Sequence, residues 1–209
     1  MGPRTFIARH GETVHNAAAR LQGDALHTPL TRAGFAQAEA IGNALLRRLG
    51  SRPDLVLWAS PTGRALQTLA IVAEHVGLDW HAARTDARLA EIDMGGWGGR
   101  YYAEIIAESG PIIDPASMLF NRRGPGGEWY DGIAMRLQNW LDDTAKETRD
   151  RLVIMHGISS RVLRGMMTNA PVRPECGAPV ADHLPQGSLV EIEAGVETIV
   201  HRGGGEAAV

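Results

Sequence analysis

One cysteine in 209 residues, Cys176, leaves no internal disulfide to form, and that fits a reducing cytoplasm. Charge of either sign is not in excess. The formal net charge is -3, so neither nucleic acid nor an anionic membrane surface is expected as a partner. No run approaches the roughly 18 apolar residues that a membrane span needs. The start of the chain lacks a basic patch followed by a long apolar stretch, so no signal peptide is expected and the cytoplasm is the expected location. The eight histidines form no His-x-x-x-His pair and no cysteine cluster accompanies them, which makes a metal site the weaker use for them. "HGISS" carries no G-x-S-x-G elbow for a serine nucleophile. Internal repeats and an interdomain linker are absent too.

What remains is 44% hydrophobic and 22% charged, ample for one core. Length divided by about 150 favours a single domain spanning 1–209. Apolar runs at 4–10, 54–60 and 151–157 read as buried strands. Between them lie helical patterns. Residues 31–50 place Phe35, Ala38, Ile41, Leu45 and Leu49 at helical spacing, with Thr31 as N-cap and Gly50 as the stop. Further helices are expected at 61–77, 128–148 and 158–168, and a hairpin over 188–202 turning at Ala194-Gly195. Strands alternating with helices predict an α/β fold, a mostly parallel central sheet flanked by helices in three layers. The stretch 95–127, rich in Gly, Pro and Arg, breaks the alternation and reads as an irregular segment covering a substrate. Residues 203–209 read as a disordered tail.

Ligands of open α/β sheets bind beyond the carboxyl ends of the strands, and each buried run ends on a polar cluster. These are Arg9-His10-Gly11-Glu12-Thr13, Ser60-Pro61-Thr62-Gly63-Arg64, and His156-Gly157. If the strands are parallel neighbours, two arginines and two histidines converge. Two guanidinium forks can grip a phosphate, and helix N-termini add N–H donors. A neutral imidazole is a competent nucleophile toward phosphorus, and nearby arginines would keep it neutral. The second histidine could donate a hydrogen bond to the phosphoryl oxygens. Gly11 would let the backbone turn close to the anion. Singly, each residue reads more readily as structural; the recurrence at three strand ends lifts the set.

"RHGET", "SPTGRALQT" and "MHG", each after a strand and in that order, resemble the histidine phosphatase superfamily, the phosphoglycerate-mutase-like group. The likeness runs from residue 4 to about 190. It implies that His10 takes the phosphoryl group as phosphohistidine and that Arg9, Arg64 and His156 complete the phosphate pocket. It further implies that Asn16, Gln22, Gly23 and Gly157 line the pocket or its rim. Glu91, in "RLAEIDMGGWGG", matches the family's acidic residue, proton donor to the leaving oxygen and then base for water. A phosphate dianion beside it would raise its pKa and keep that proton available. "RRGPGGEWYDG" resembles the family's "PGGES" loop with Trp129 in place of serine, and Arg122 and Arg123 sit where a second anionic group could be held. Two departures stand out: Gly98 where many members have a carboxylate, and Gln186-Gly187-Ser188 where many carry Asn-x-Ser.

The resemblance implies no metal. A 2,3-bisphosphoglycerate primer would be needed only by a mutase. Dedicated mutases carry insertions that close over the site to exclude water, and this chain is short. The reading favoured is therefore a phosphatase acting on a small phosphorylated metabolite. Alternatives are a 2,3-bisphosphoglycerate-dependent phosphoglycerate mutase, a non-catalytic phosphate-ligand binder, and a phosphoprotein phosphatase. An apolar, aromatic-lined cleft would favour the last, and a small arginine-rich one would favour metabolites. A homodimer is left open.

Overall fold

Phe6 and Ala8 face one side of the first strand and Ile7 the other, and the same alternation splits Leu152 and Ile154 from Val153 and Met155. Both faces are apolar, so both must be covered by helices. The computed structural model describes residues 2–205. Its first half runs β1 (Thr5–Arg9), α1 (Val14–Ala17), α2 (Arg32–Leu49), β2 (Leu55–Ala59), α3 (Gly63–Val76) and β3 (Arg84–Thr85). The middle holds α4 (Tyr102–Ser109), β4 (Ile113–Asp114), β5 (Leu119–Phe120) and α5 (Tyr130–Asp143). The last part adds β6 (Asp150–Met155), α6 (Gly157–Met167), β7 (Val172–Arg173), β8 (Ala178–Pro179), β9 (Leu189–Glu193) and β10 (Val196–His201).

The sheet order is β10-β9-β1-β6-β2-β3. β1, β6, β2 and β3 are parallel, while β9 runs antiparallel to β1 and β10. Helices α2 and α3 pack on the Phe6 face, and α5 and α6 on the Ile7 face. The result is the expected α/β sandwich with a mostly parallel sheet. The hairpin turns where predicted, with Ala194 at φ 49° and Gly195 at φ 80°.

Several boundaries and placements differ from expectation. Phe35 is 44% exposed although it shares a helical stripe with buried Ala38, Ile41 and Leu45. The stripe outruns the layer beneath it at that first turn. The helix expected to reach 148 ends at Asp143, where the Thr144 hydroxyl donates to Trp140 O (2.8 Å) and competes with the ladder. The segment expected to be irregular contains α4 and the β4–β5 hairpin. Its glycines serve loop packing: Gly96 N donates to Pro125 O (2.9 Å), Glu128 N donates to Asp93 O (2.8 Å), and a Cβ at Gly124 would strike the Met94 carbonyl. Gly203 to Gly205 are docked rather than loose, with Gly203 N on Ser188 Oγ (2.9 Å) and Gly205 bridged to Gln186. The remainder of that expected tail, 206–209, lies outside the described residues.

Candidate active site

The register decides the convergence. Arg9 pairs with Met155 and Ala59 with Ile154, so β1, β6 and β2 end level with one another. His10 N donates to Met155 O (3.0 Å) and Ser60 N to Ile154 O (3.1 Å), extending both ladders one residue further. His10 and His156 therefore meet edge to face, ring centroids 5.1 Å apart. Arg64, in the first turn of α3, is fully buried beneath them. Its Nε lies 3.2 Å from His10 Nε2 and 3.3 Å from His156 Nδ1. Its other nitrogens donate to Gly23 O (2.7 Å), Ala25 O (2.5 Å) and Thr28 Oγ1 (2.8 Å).

These bonds fix the tautomers. His10 Nδ1 lies 2.7 Å from Gly11 O, a carbonyl that can only accept, so Nδ1 carries the proton and Nε2 keeps its lone pair. His156 accepts at Nδ1 and so carries its proton on Nε2, which is buried and without a partner. Arg9 Nε is likewise buried and unpartnered. Burial first, then the Arg64 charge, holds both imidazoles well below the ordinary histidine pKa, so both are neutral at pH 7. The arginines expected to do this come second to desolvation. Burial also brings Arg64 down to about 10, still charged at neutrality.

Glu91 sits at the start of α6. Its carboxylate accepts from Ile158 N (3.0 Å), Ser159 N (2.9 Å) and its neighbour Ile92 N (3.0 Å). His156 is the N-cap of that helix but its side chain makes no cap bond. A carboxylate from far away in sequence does the capping, and the imidazole is left to face His10. Two carboxylate oxygens offer about four lone pairs, so three N–H bonds leave one position free for a proton.

Above this floor opens a cleft lined by Arg9, Asn16, Gln22, Gly23, Glu91 and Gly157 among others. His10, Arg64 and His156 form the buried floor and do not line its walls. Arg122 and Arg123 are not in it. Both are exposed, with Arg122 Nη1 on Ser109 O and Arg123 Nε on Gly127 O (2.5 Å). The likeness of their loop to "PGGES" misplaced them. Gly11 also has a different reason from the one expected: a Cβ there would strike the Gly34 carbonyl, so it admits α2 rather than an anion.

Polar residues in or behind the cleft that sequence leaves unassigned include Arg20, His183 and Gln186. Arg20 lines the wall, with its Nε on Gly99 O (2.7 Å) and its guanidinium stacked 4.8 Å from the Tyr101 ring. His183 lines it too, its pKa lowered to about 4, chiefly by burial. Gln186, noted only as a departure, is buried behind the site. Its Nε2 donates to Gly11 O (3.1 Å) and Asn16 Oδ1 (2.9 Å), reaching the same carbonyl that orients His10. Asn16 Oδ1 also accepts from Thr13 N (3.0 Å) and Gln22 Nε2 (3.2 Å). The departure "QGS" was the available signal for Gln186; Arg20 and His183 sit in no motif. Among the described residues, no cluster of three or more His, Cys, Asp or Glu is placed to hold a metal ion.

The sequence profile of the histidine phosphatase superfamily (branch 1) matches residues 5–197. The chain belongs to the histidine phosphatase superfamily. A probable phosphoglycerate mutase from Erwinia tasmaniensis is 31% identical over 178 residues, covering 82% of this chain and 78% of that one. A 6-phosphofructo-2-kinase/fructose-2,6-bisphosphatase from Caenorhabditis elegans is 31% identical over 91% of this chain, which spans only 39% of that protein's length. Among solved structures, a mycobacterial glucosyl-3-phosphoglycerate phosphatase in complex with VO3 superposes with a TM-score of 0.74 at 25% identity, over 98% of this chain and 100% of that one. As a member of this superfamily the chain is an enzyme of the phosphatase or phosphoglycerate-mutase-like kind.

Proposed function

We propose that this histidine phosphatase is a phosphohydrolase that removes a phosphoryl group from a small phosphorylated metabolite through a phosphohistidine on His10. The observation that carries the reading is a pair of buried donors without protein partners, Arg9 Nε and His156 Nε2, beside a neutral imidazole whose Nε2 lone pair is unprotonated. Buried donors left unpaired cost about 1–3 kcal/mol each, and a phosphoryl oxygen relieves that cost.

The geometry supports the following steps. His10 Nε2, freed as the Arg64 Nε–H shifts wholly onto His156 Nδ1, attacks phosphorus as the bond to the leaving oxygen breaks. Arg9 and His156 donate to the equatorial oxygens, and Arg64, held on its protein partners, adds fixed positive charge beneath them as charge is carried through the transfer. Glu91 gives its proton to the leaving oxygen. Water then attacks the phosphohistidine, Glu91 takes the water's proton, the P–N bond breaks, and inorganic phosphate departs. Asn16, Gln22, Gly23 and Gly157 frame the entry.

Against a mutase stands the cleft itself. Arg122 and Arg123, expected to grip a second anionic group, are outside it, whereas a mutase must hold a bisphosphate. The experiment is phosphate release from a panel of phosphorylated metabolites, 3-phosphoglycerate included, beside an isomerisation assay primed with 2,3-bisphosphoglycerate. Release without isomerisation is expected. Isomerisation without release makes the protein a mutase, and silence in both makes it a binder.

A further inference from the structure

The walls of the cleft do not match its floor. Where the floor is cationic, one stretch of the wall is built from Ile92, Met94, Tyr102, Ile113, Met118 and Phe120, beside the polar Asn16, Arg20, Gln22, Arg161 and His183. Three of these come from the β4–β5 hairpin. Ile113 pairs with Phe120 across it, and Met118 occupies its turn at φ 54°, a conformation that disfavours a side chain with a Cβ. The strained turn is pinned from outside. Arg161, buried in α6, donates to Met118 O (3.0 Å), Ser117 O (2.9 Å) and Ala181 O (2.9 Å). Three of its five N–H donors are thereby engaged on carbonyls, two of them in the hairpin turn, so a guanidinium that lines the cleft also braces the hairpin. An apolar surface held in place before any ligand arrives is a preformed complement to an apolar ligand.

The cations available to a leaving group are correspondingly few. Arg9 and Arg64 lie on the phosphoryl side, and Arg161 holds three of its five N–H donors on carbonyls. His183 is neutral at pH 7. That leaves Arg20 on the wall, and no carboxylate among the described residues pairs with it. A leaving group carrying several charges or hydroxyls would lose hydration against Ile113 and Phe120 without replacement bonds.

Resting on the phosphatase reading above, we infer that the preferred substrates are small phosphate monoesters whose leaving group is a ring or branched chain of mainly apolar character. Polyhydroxylated and polyanionic metabolites are disfavoured. The hairpin wall, braced by Arg161, sets that preference.

The test compares alkyl esters, so that leaving-group basicity varies little. The kcat/KM of cyclohexyl phosphate and 3-methylbutyl phosphate is measured against glycerol 3-phosphate and 3-phosphoglycerate. At least a tenfold preference for the apolar esters is expected. Ile113→Asn and Met118→Gln should each shrink the ratio by about tenfold, with circular dichroism confirming the fold. The wild-type ratio stands as its own test if either variant fails to fold. An equal or reversed preference, with turnover still abolished by His10→Ala, overturns this inference and leaves the phosphatase reading intact. A phosphotyrosine peptide turned over tenfold better than any small ester overturns it as well. No turnover of any ester, or full turnover by His10→Ala, overturns the phosphatase reading and this inference with it.

Discussion

The floor and the wall of one cleft are made in opposite ways. The floor comes from residues adjacent to three strand ends that a parallel register brings level, and each polar group there sits within a few residues of the strand that aims it. The wall comes from a small hairpin outside the sheet, held by an arginine whose partners lie 43 and 44 residues away in sequence. Chemistry that must not vary is placed on rigid strands, and the surface that selects the leaving group is placed on an inserted hairpin.

The sharpest way to break that comparison lies within the floor, between its two arginines. Arg64 satisfies two backbone carbonyls, a hydroxyl and two imidazoles, whereas Arg9 Nε has no protein partner. Arg64→Ala should therefore lose activity by roughly 10³-fold and stability by about 3 kcal/mol. Arg9→Ala should lose a comparable share of activity and less than about 1 kcal/mol of stability. Urea unfolding beside steady-state kinetics separates them, and equal destabilisation by both would remove Arg9 from a purely ligand-facing role. Next in size, Glu91→Gln should slow alkyl esters by about 10²-fold more than p-nitrophenyl phosphate, whose leaving group hardly needs a proton. Equal slowing of the two would mean that the residue acts only as the cap of α6.

Behind the floor, Gln186→Met keeps the length of the side chain without burying a charge and removes both donors to Gly11 O and Asn16 Oδ1. A fall of about tenfold in kcat with little change in melting temperature is expected, since the change misaligns His10 rather than unpacking the core. An unchanged kcat would make Gln186 a filler. The smallest effect concerns pH. His10 and His156 are held well below the ordinary value of 6.5 in the fold, so the unfolded chain binds protons that the folded chain refuses. Their influence is absent above about pH 6.5. Below it, stability should fall by up to about 1.4 kcal/mol per pH unit for each histidine until its folded pKa is reached. By the same shift, the acid limb of kcat/KM should lie well below 6.5. A limb at or above 6.5 would mean that the nucleophile titrates normally.

Legibility in the sequence follows the same division. β1, β2, β6 and the clusters ending them could be read because a buried strand is a short apolar run and its functional residues come next in the chain. The β9–β10 hairpin was readable from Ala194-Gly195, whose positive φ angles suit its turn. The likeness of their loop to "PGGES" puts Arg122 and Arg123 where a second anionic group could be held, yet the loop's glycines let two loops pack backbone against backbone and leave both arginines outside the cleft. Arg20, His183 and the brace by Arg161 depend on tertiary contacts without local pattern. Glu91 was placed by resemblance alone; its hold on Ile158 and Ser159 across the chain has no signature in spacing.

The most direct test of the account is the covalent intermediate itself. Rapid mixing with substrate, quenching in base and peptide mapping by mass spectrometry should find a transient phosphoryl group on the His10 imidazole, absent from the His10→Ala protein, which should neither form it nor release phosphate. Phosphate release by His10→Ala at near wild-type rate, or an adduct on His156 instead, would contradict it.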